Sequence, residues 1–262
     1  MRILALDSSG LVASVAVVED GAVDDQVIAE YTVNYKKTHS QTLLPMLDEI
    51  VKMTELDLHT VDAIAVAGGP GSFTGLRIGS ATAKGLGLAL EKPLIHIPTL
   101  EGLAYNLCGI ADVVCPIMDA RRKQVYTGIY RFTDHQLKVV EDQMAVSMET
   151  VIEKLNQYGE AVTFLGDGVP VFHEFIAEKM TVPYSFAPAH VNKQRAAAVA
   201  ALPVSLLNTA DGTDWAPPMA LLMLLRRSLA LLLSKPVATT VTRISSDRFS
   251  SNAVPQMMFA SG

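Results

Sequence analysis

A glycine-rich stretch between two apolar segments is the clearest candidate for chemistry in this sequence: AVAGGPGSFTGLRIGSATAKGLGLAL, residues 65–90. Such loops bind phosphate when backbone N–H groups and a helix N-terminus face the ligand. Three known patterns fail here. No Gly-Lys pair follows at the P-loop spacing, the third glycine of a dinucleotide motif falls at Gly75 instead of position 74, and Ser72 directly follows Gly71, unlike a nucleophile elbow. Gly69, Gly71 and Ser72 are therefore only weak candidates for nucleotide binding.

The helix predicted after this loop offers a structural explanation for the same glycines. Its sequence from about Thr74 to Leu90 is rich in Gly, Ala and Ser. An interior glycine costs a helix about 1 kcal/mol relative to alanine, so several of them need a reason. Close approach of another helix or another chain would supply one. Pro70 and Gly71 predict a tight turn before the helix, and Ser72 or Thr74 is a suitable N-cap.

Two aspartates and one histidine are the other residues that could do chemistry. Asp7 and Asp119 each follow an apolar run, where a carboxylate could contact a metal-bound phosphate or could form a turn by bonding its own backbone. Asp7 is kept as a weak binding candidate. A helical metal pair needs two histidines four residues apart, but the residue four positions after His39 is Leu43. We predict no metal site and no catalytic residue in this chain.

The elements that must position these residues are predicted to form an α/β unit. Two β-rich runs separated by a Ser-Ser-Gly turn predict a hairpin, and QVIAEYTVNY predicts a third strand. Apolar residues at helical spacing predict a helix over residues 38–53, which either begins near Pro45 or kinks there. The run DAIAVAGG predicts a fourth, central strand before the glycine loop.

The second half of the chain repeats this pattern. An apolar strand, an aspartate, a tight turn and another strand recur in VVCPIMDARRKQVYTGIYRF, so that Asp119 stands where Asp7 stood. Gly166 and Gly168 then stand where the glycine loop stood. The repetition predicts two similar lobes with a boundary near residues 93–99.

Composition limits the classes of function. The chain has 262 residues, 50% hydrophobic and 18% charged, with a net charge of −6 and a pI near 5.5, which argues against autonomous nucleic-acid binding. Its two cysteines imply neither a disulfide framework nor a zinc site. The apolar run MALLMLLRRSLALLL is short for a membrane span and carries two central arginines. The N-terminal apolar run is too short for a signal peptide, so we expect a cytoplasmic protein.

Four segments closely resemble the TsaB (YeaZ) family and occur in the same order. They are MRILALDSSG, HSQTLLPMLDEIV, AGGPGSFTGLRIGSATAKGLG and MDARRKQVYTG. The resemblance covers about residues 1–201. It implies an α/β fold of the two-lobed actin, sugar-kinase and heat-shock-ATPase type, a duplicated mixed sheet flanked by helices. The lobes are expected at 1–98 and 99–201. Residues 202–262 do not match and form an atypical tail, either lineage-specific or the product of a changed reading frame.

The resemblance also implies a function. Members of this family are non-catalytic accessory subunits that pair with the catalytic paralogue TsaD and the ATPase subunit TsaE. The catalytic subunit transfers threonylcarbamoyl from its adenylate to N6 of the adenosine beside the tRNA anticodon. ATP, metal and tRNA are therefore expected on the partners, and a homodimer is expected when the chain is alone. Pairing would use the two helices of the first lobe, through His39, Leu43, Leu44, Leu47, Thr74, Gly75, Arg77, Ile78, Ala81 and Thr82.

Two other hypotheses about the function remain open on the residues alone. An ATP-dependent small-molecule kinase of the same superfamily would bind nucleotide between the lobes. A peptidase would need a nucleophile with a base or a metal pair, and Ser72 has no evident partner for that role in the sequence.

Overall fold

In the computed structural model, the described residues are 1–21, 25–35 and 39–209, without the side chains of 206–209. Besides a short 3-10 helix at Leu58–Thr60, these residues form β-strands and α-helices. In chain order these are β1 (Arg2–Asp7), β2 (Ala13–Glu19), β3 (Gln26–Val33), α1 (His39–Thr54), β4 (Ala63–Ala67), α2 (Phe73–Leu90), β5 (Leu94–Ile97), α3 (Thr99–Tyr105), β6 (Val113–Asp119), β7 (Gln124–Thr133), β8 (Gln136–Ser147), α4 (Met148–Tyr158), β9 (Val162–Leu165), α5 (Val169–Lys179), β10 (Tyr184–Phe186) and α6 (Ala196–Thr209).

The first sheet has the strand order β3-β2-β1-β4-β5. β1, β2 and β3 pair antiparallel, whereas β4 pairs parallel with both β1 and β5. Successive side chains of a strand point to opposite faces, and β1 is buried on both. Leu4 and Leu6 pack on the face that holds α1 and α2, whereas Ile3 and Ala5 pack on the face that holds α6.

The second sheet repeats this topology with the order β10-β9-β6-β7-β8. β6, β7 and β8 again pair antiparallel, and β9 again pairs parallel with its two neighbours. α4 and α5 pack on one face around Phe164 and Ile117, and α3 packs on the other around Val114 and Tyr130. The predicted duplicated α/β fold is confirmed.

The first helix and the end of the described chain refine the predictions. α1 begins at His39 and runs through Pro45, so the alternative that it begins near the proline is wrong; position 38 lies outside the described residues. α6 packs on the first sheet, with Leu202 and Val204 buried there. The lobe bounds stay predictions. Of the expected tail, residues 202–209 belong to α6 and 210–262 lie outside the described residues. No helix within the described ranges is long and apolar enough to cross a membrane.

Candidate functional site

Three backbone N–H groups of the glycine loop between β4 and α2 donate to acceptors within the protein. The amides of Gly68, Gly69 and Ser72 donate to protein oxygens at 2.8, 3.0 and 2.7 Å. The hydroxyl of Ser72 caps α2 by accepting from the Gly75 amide at 3.2 Å, as the sequence predicts. A phosphate cradle needs free amides that converge on the ligand. The amides of Gly69 and Ser72 are therefore not available for that predicted role.

Three glycines allow the loop and α2 to approach the turn between β1 and β2. A Cβ atom on Gly71 would lie 2.3 Å from the Ser9 carbonyl oxygen, and one on Gly75 would lie 2.0 Å from the Ser8 carbonyl oxygen. A Cβ on Gly79 would lie 2.5 Å from the Ser8 hydroxyl oxygen. The predicted close approach exists, but for these positions the approaching element belongs to the same chain.

The two predicted aspartates form turns in the same way. One carboxylate oxygen of Asp7 accepts from the Ser9 amide at 2.9 Å and from the Ser9 hydroxyl at 2.6 Å. Asp7 is 2% exposed, and burial raises the pKa of its carboxyl. Asp119 repeats the pattern, because its carboxylate accepts from the Arg121 amide at 2.9 Å. Each aspartate bonds the amide two residues ahead, which is the geometry of an Asx turn.

A cavity of about 480 Å³ lies where the two hairpin turns meet. His39 and the loop residues line it from the first sheet, and residues of the β6–β7 turn line it from the second. Asp167, which follows β9, completes it; its carboxylate accepts from the Asp119 amide at 3.3 Å, and burial raises its pKa. The lining residues are Ser9, Gly10, Leu11, Tyr35, His39, Gly71, Ser72, Met118, Asp119, Ala120, Arg121, Tyr126 and Asp167. The sequence indicated the repeated turns but not that Tyr35 and Tyr126 join them.

The structure divides the predicted partner-binding residues. Leu43, Leu47 and Gly75 are buried in the chain's own core, because they face β1, β2 and the first turn. These three are corrected: they pack within the chain and present no surface to a partner. Leu44 is 54% exposed. Thr74, Arg77 and Ala81 are also exposed, and His39, Ile78 and Thr82 are partly buried.

An exposed stripe runs along α2 at helical spacing: Phe73, Arg77, Ala81, Gly85 and Leu88. We call it the α2 stripe. Phe73 is 68% and Leu88 is 84% exposed, and the Arg77 guanidinium lies 3.9 Å from the centre of the Phe73 ring. A Cβ on Gly85 would meet no described residue within 4 Å. Within the described part of the chain, Gly85 therefore has no packing reason, a distinction that the sequence could not reveal.

Comparison with known proteins shows to which family the chain is similar. The family model described as "TsaD: tRNA N6-adenosine threonylcarbamoyltransferase" matches residues 26–258. The "tRNA threonylcarbamoyladenosine biosynthesis protein TsaB" of Bacillus subtilis (strain 168) is 35% identical over 178 residues, which cover 68% of this chain and 76% of that protein. The TsaB of Escherichia coli (strain K12) is 37% identical, over 62% of this chain and 70% of that protein.

The chain belongs to the TsaB (YeaZ) family. A solved structure described as "YeaZ from Pseudomonas aeruginosa" superposes with a TM-score of 0.63 at 26% identity, over 78% of this chain and 91% of that one. A second, described as an uncharacterized protein with similarity to peptidase YEAZ from Pseudomonas aeruginosa, gives 0.66 at 27% identity, over 81% and 94%. The two-lobed architecture is thus shared with solved YeaZ structures.

In this TsaB-family chain, the first helix does not fit a metal ion. The Nε2 atom of His39 lies 2.9 Å from the Gly10 carbonyl oxygen, and the Nδ1 atom is buried. Leu43, one turn later, offers no donor and is 1% exposed. No cluster of three or more His, Cys, Asp or Glu side chains that could hold a metal occurs within the described part of the chain.

Proposed function

We propose that this chain is a non-catalytic accessory subunit in the biosynthesis of threonylcarbamoyladenosine in tRNA. In this proposal it binds the catalytic paralogue TsaD, together with the ATPase subunit TsaE, and enables the paralogue to transfer the threonylcarbamoyl group. The names of the Bacillus subtilis and Escherichia coli relatives support the pathway. The match to a TsaD model over most of the chain supports a paralogous partner of similar fold.

The proposed pairing with TsaD rests on one observation, which is the presence of Gly85 in the α2 stripe. An interior glycine costs the helix about 1 kcal/mol relative to alanine. Gly75 and Gly79 have an intramolecular reason, because a side chain there would collide with Ser8, but no described residue supplies one for Gly85. Close approach of a partner helix would supply the missing reason. Phe73 and Leu88 on the same stripe would then give the interface apolar area that is exposed in the single chain.

The contacts of the candidate site support an accessory role over a catalytic one. The loop amides of Gly68, Gly69 and Ser72 already have protein acceptors. Asp7 is buried and bonds its own turn, and His39 lacks a second metal ligand one helical turn away. In this proposal ATP and metal are bound by the partner subunits, and tRNA reaches the chain within the complex.

The test is a drop-out assay. tRNA, threonylcarbamoyl-adenylate, TsaD and TsaE are mixed with and without this chain, and the modified adenosine is detected by mass spectrometry. We expect product only when the chain is present and none from the chain alone. Equal product without the chain would refute the accessory role.

A matched pair of variants tests the surface. Ala81→Arg places a long charged side chain in the α2 stripe, and Ala177→Arg places the same side chain on an exposed position of α5. We expect Ala81→Arg to abolish co-elution with TsaD and product formation, whereas Ala177→Arg retains both. In the absence of TsaD, the same stripe would form a homodimer by using one patch on both copies, which light scattering of the two variants would test.

A further inference from the structure

The β6–β7 turn holds three consecutive basic residues in an unusual backbone conformation. Arg121, Arg122 and Lys123 have φ of 69°, 52° and 61°. The Gln124 amide donates to the Arg121 carbonyl oxygen at 2.9 Å, so Arg122 and Lys123 occupy the two central positions of a four-residue turn. Positive φ at both central positions is typical of a type I′ turn, for which Asn-Gly is the favoured pair. Residues other than glycine held in this region are destabilising and point to a local function.

The charges of this turn are exposed and weakly neutralised. The Arg121 side chain is 88% exposed, and its ion pair with Asp119 spans 3.8 Å. For Arg122 and Lys123, no ion pair is found with any described residue. Although the net charge of the chain is −6, three of its cationic side chains lie on this one turn.

A cavity of about 590 Å³ lies beside the turn, on the side of the second sheet that holds α4 and α5. Met148, Phe172 and Phe175 line it, and Val171 at its edge is 59% exposed. Glu149 from the first turn of α4 adds one carboxylate to the rim. We call this space the α4–α5 pocket. It is a different cavity from the one between the hairpin turns, although Asp119 and Arg121 border both.

We propose that the basic turn and the α4–α5 pocket bind an unpaired nucleotide of a single-stranded RNA. The cations would contact the backbone phosphates, and the base would stack on Phe175, which is partly buried. Phe172, 8% exposed, and Met148, 1% exposed, lie behind it in the core. The Glu149 carboxylate would accept a hydrogen bond from an exocyclic amino group, as carboxylates do from cytosine. An acidic protein surface would also match the cations, and its apolar side chains would fit the pocket, but the Glu149 carboxylate on the rim would repel its acidic groups. A nucleotide carries both an anionic phosphate for the cations and an amino donor for that carboxylate. The juxtaposition of both features favours RNA.

This inference deepens the proposed function, because it gives the chain a direct contact with the tRNA of the complex. The proposed contact involves three basic residues on one turn, so we expect the isolated chain to bind RNA weakly, and its acidic net charge argues only against strong autonomous binding. Its test uses the full chain without TsaD or TsaE. Failure of RNA binding and failure of the accessory role can therefore be distinguished.

The measurement is fluorescence anisotropy of a labelled single-stranded RNA titrated with the full chain between about 50 and 200 mM salt. Three phosphate contacts predict a slope of log K against log salt of about −2, at roughly −0.7 per contact for single strands. Arg122→Gln combined with Lys123→Gln should reduce the slope to about −0.7. Lys138→Gln, an exposed lysine on the neighbouring hairpin, is the matched control and should leave the slope unchanged.

Two further variants separate binding from folding. Phe175→Leu keeps an apolar side chain in the pocket and should weaken RNA binding by about 5-fold or more, since stacking is lost. Arg122→Asn with Lys123→Gly introduces the favoured type I′ pair, so it should raise the midpoint of thermal unfolding while weakening RNA binding. A purely structural turn would show the first effect without the second.

Three results would overturn the proposal. One is an unchanged salt slope in the Arg122 and Lys123 glutamine variant. Another is full RNA binding by Phe175→Leu. The third is equally tight binding of an oligo-glutamate peptide of matched charge, which would assign the turn to an acidic protein surface instead.

Discussion

Two glycines of α2, ten residues apart, should respond oppositely to the same substitution. Gly85→Ala adds a methyl group that meets no described residue within 4 Å, whereas the methyl group of Gly75→Ala would lie 2.0 Å from the Ser8 carbonyl oxygen. Both changes give the helix a better helix former. Only the second forces a backbone segment to move.

The magnitudes follow from these two environments. Gly85→Ala should stabilise the monomeric form of the chain by about 1 kcal/mol, the difference in helix propensity between the two residues. Gly75 lies in the first turn of α2, so Gly75→Ala gains less than this interior value. It also overpacks a buried contact, which typically costs about 1–3 kcal/mol and more where backbone must shift. It also disturbs the hydrogen bond from the Ser8 hydroxyl to the Gly75 carbonyl oxygen, 2.8 Å long. We expect a net loss of about 2 kcal/mol.

Equilibrium urea unfolding of the full chain, followed by circular dichroism, measures both values. The dependence on urea should be unchanged, so that a shift in midpoint reports a change in stability. Destabilisation by Gly85→Ala, or equal effects of the two substitutions, would refute the assignment of Gly75 to an internal contact and Gly85 to open surface. Gly85→Ala should at the same time weaken co-elution with TsaD. Stabilisation with undiminished pairing would show that the partner does not approach at Gly85.

Three other substitutions test neighbouring parts of the argument. Leu43→Ala should cost about 2–5 kcal/mol in urea unfolding because the side chain is 1% exposed, whereas Leu44→Ala, 54% exposed, should leave stability nearly unchanged and weaken pairing with TsaD. Burial raises the pKa of Glu101 to about 6, with a smaller contribution from Asp142. Since the folded chain holds this proton more tightly, stability falls as pH rises from about 4.5 through 6, so Glu101→Gln should stabilise by up to about 2 kcal/mol at pH 8 and by little at pH 4. Ser72→Ala removes the N-cap of α2 and should lower the unfolding free energy by about 1 kcal/mol, and an unchanged thermal midpoint would contradict the cap.

The sequence alone determined the elements around the two hairpins and the glycine loop, and their repetition, but not β5, α3, β8, α4, β10 or α6. Alternating and continuous apolar runs predict the strands, and turn residues between them predict both hairpins, because these signals are local. The same locality explains why the turn-forming roles of Asp7 and Asp119 could be proposed, since each carboxylate bonds an amide only two residues away. The sequence also shows that the glycine loop matches none of the three motifs, because a motif is defined by the spacing of residues along the chain.

The tertiary structure decided which residues face inward. Gly75 and Gly85 both lie in one helix, and the packing of α2 against the turn between β1 and β2 distinguishes a required glycine from one that no described residue explains. Likewise, Leu43 and Leu44 are adjacent leucines, one in the core and one in solvent. The α4–α5 pocket arises where a turn, a strand end and two helices meet. Such contacts join residues far apart in sequence, and a pattern along the chain does not determine the relative placement of elements that it predicts one at a time.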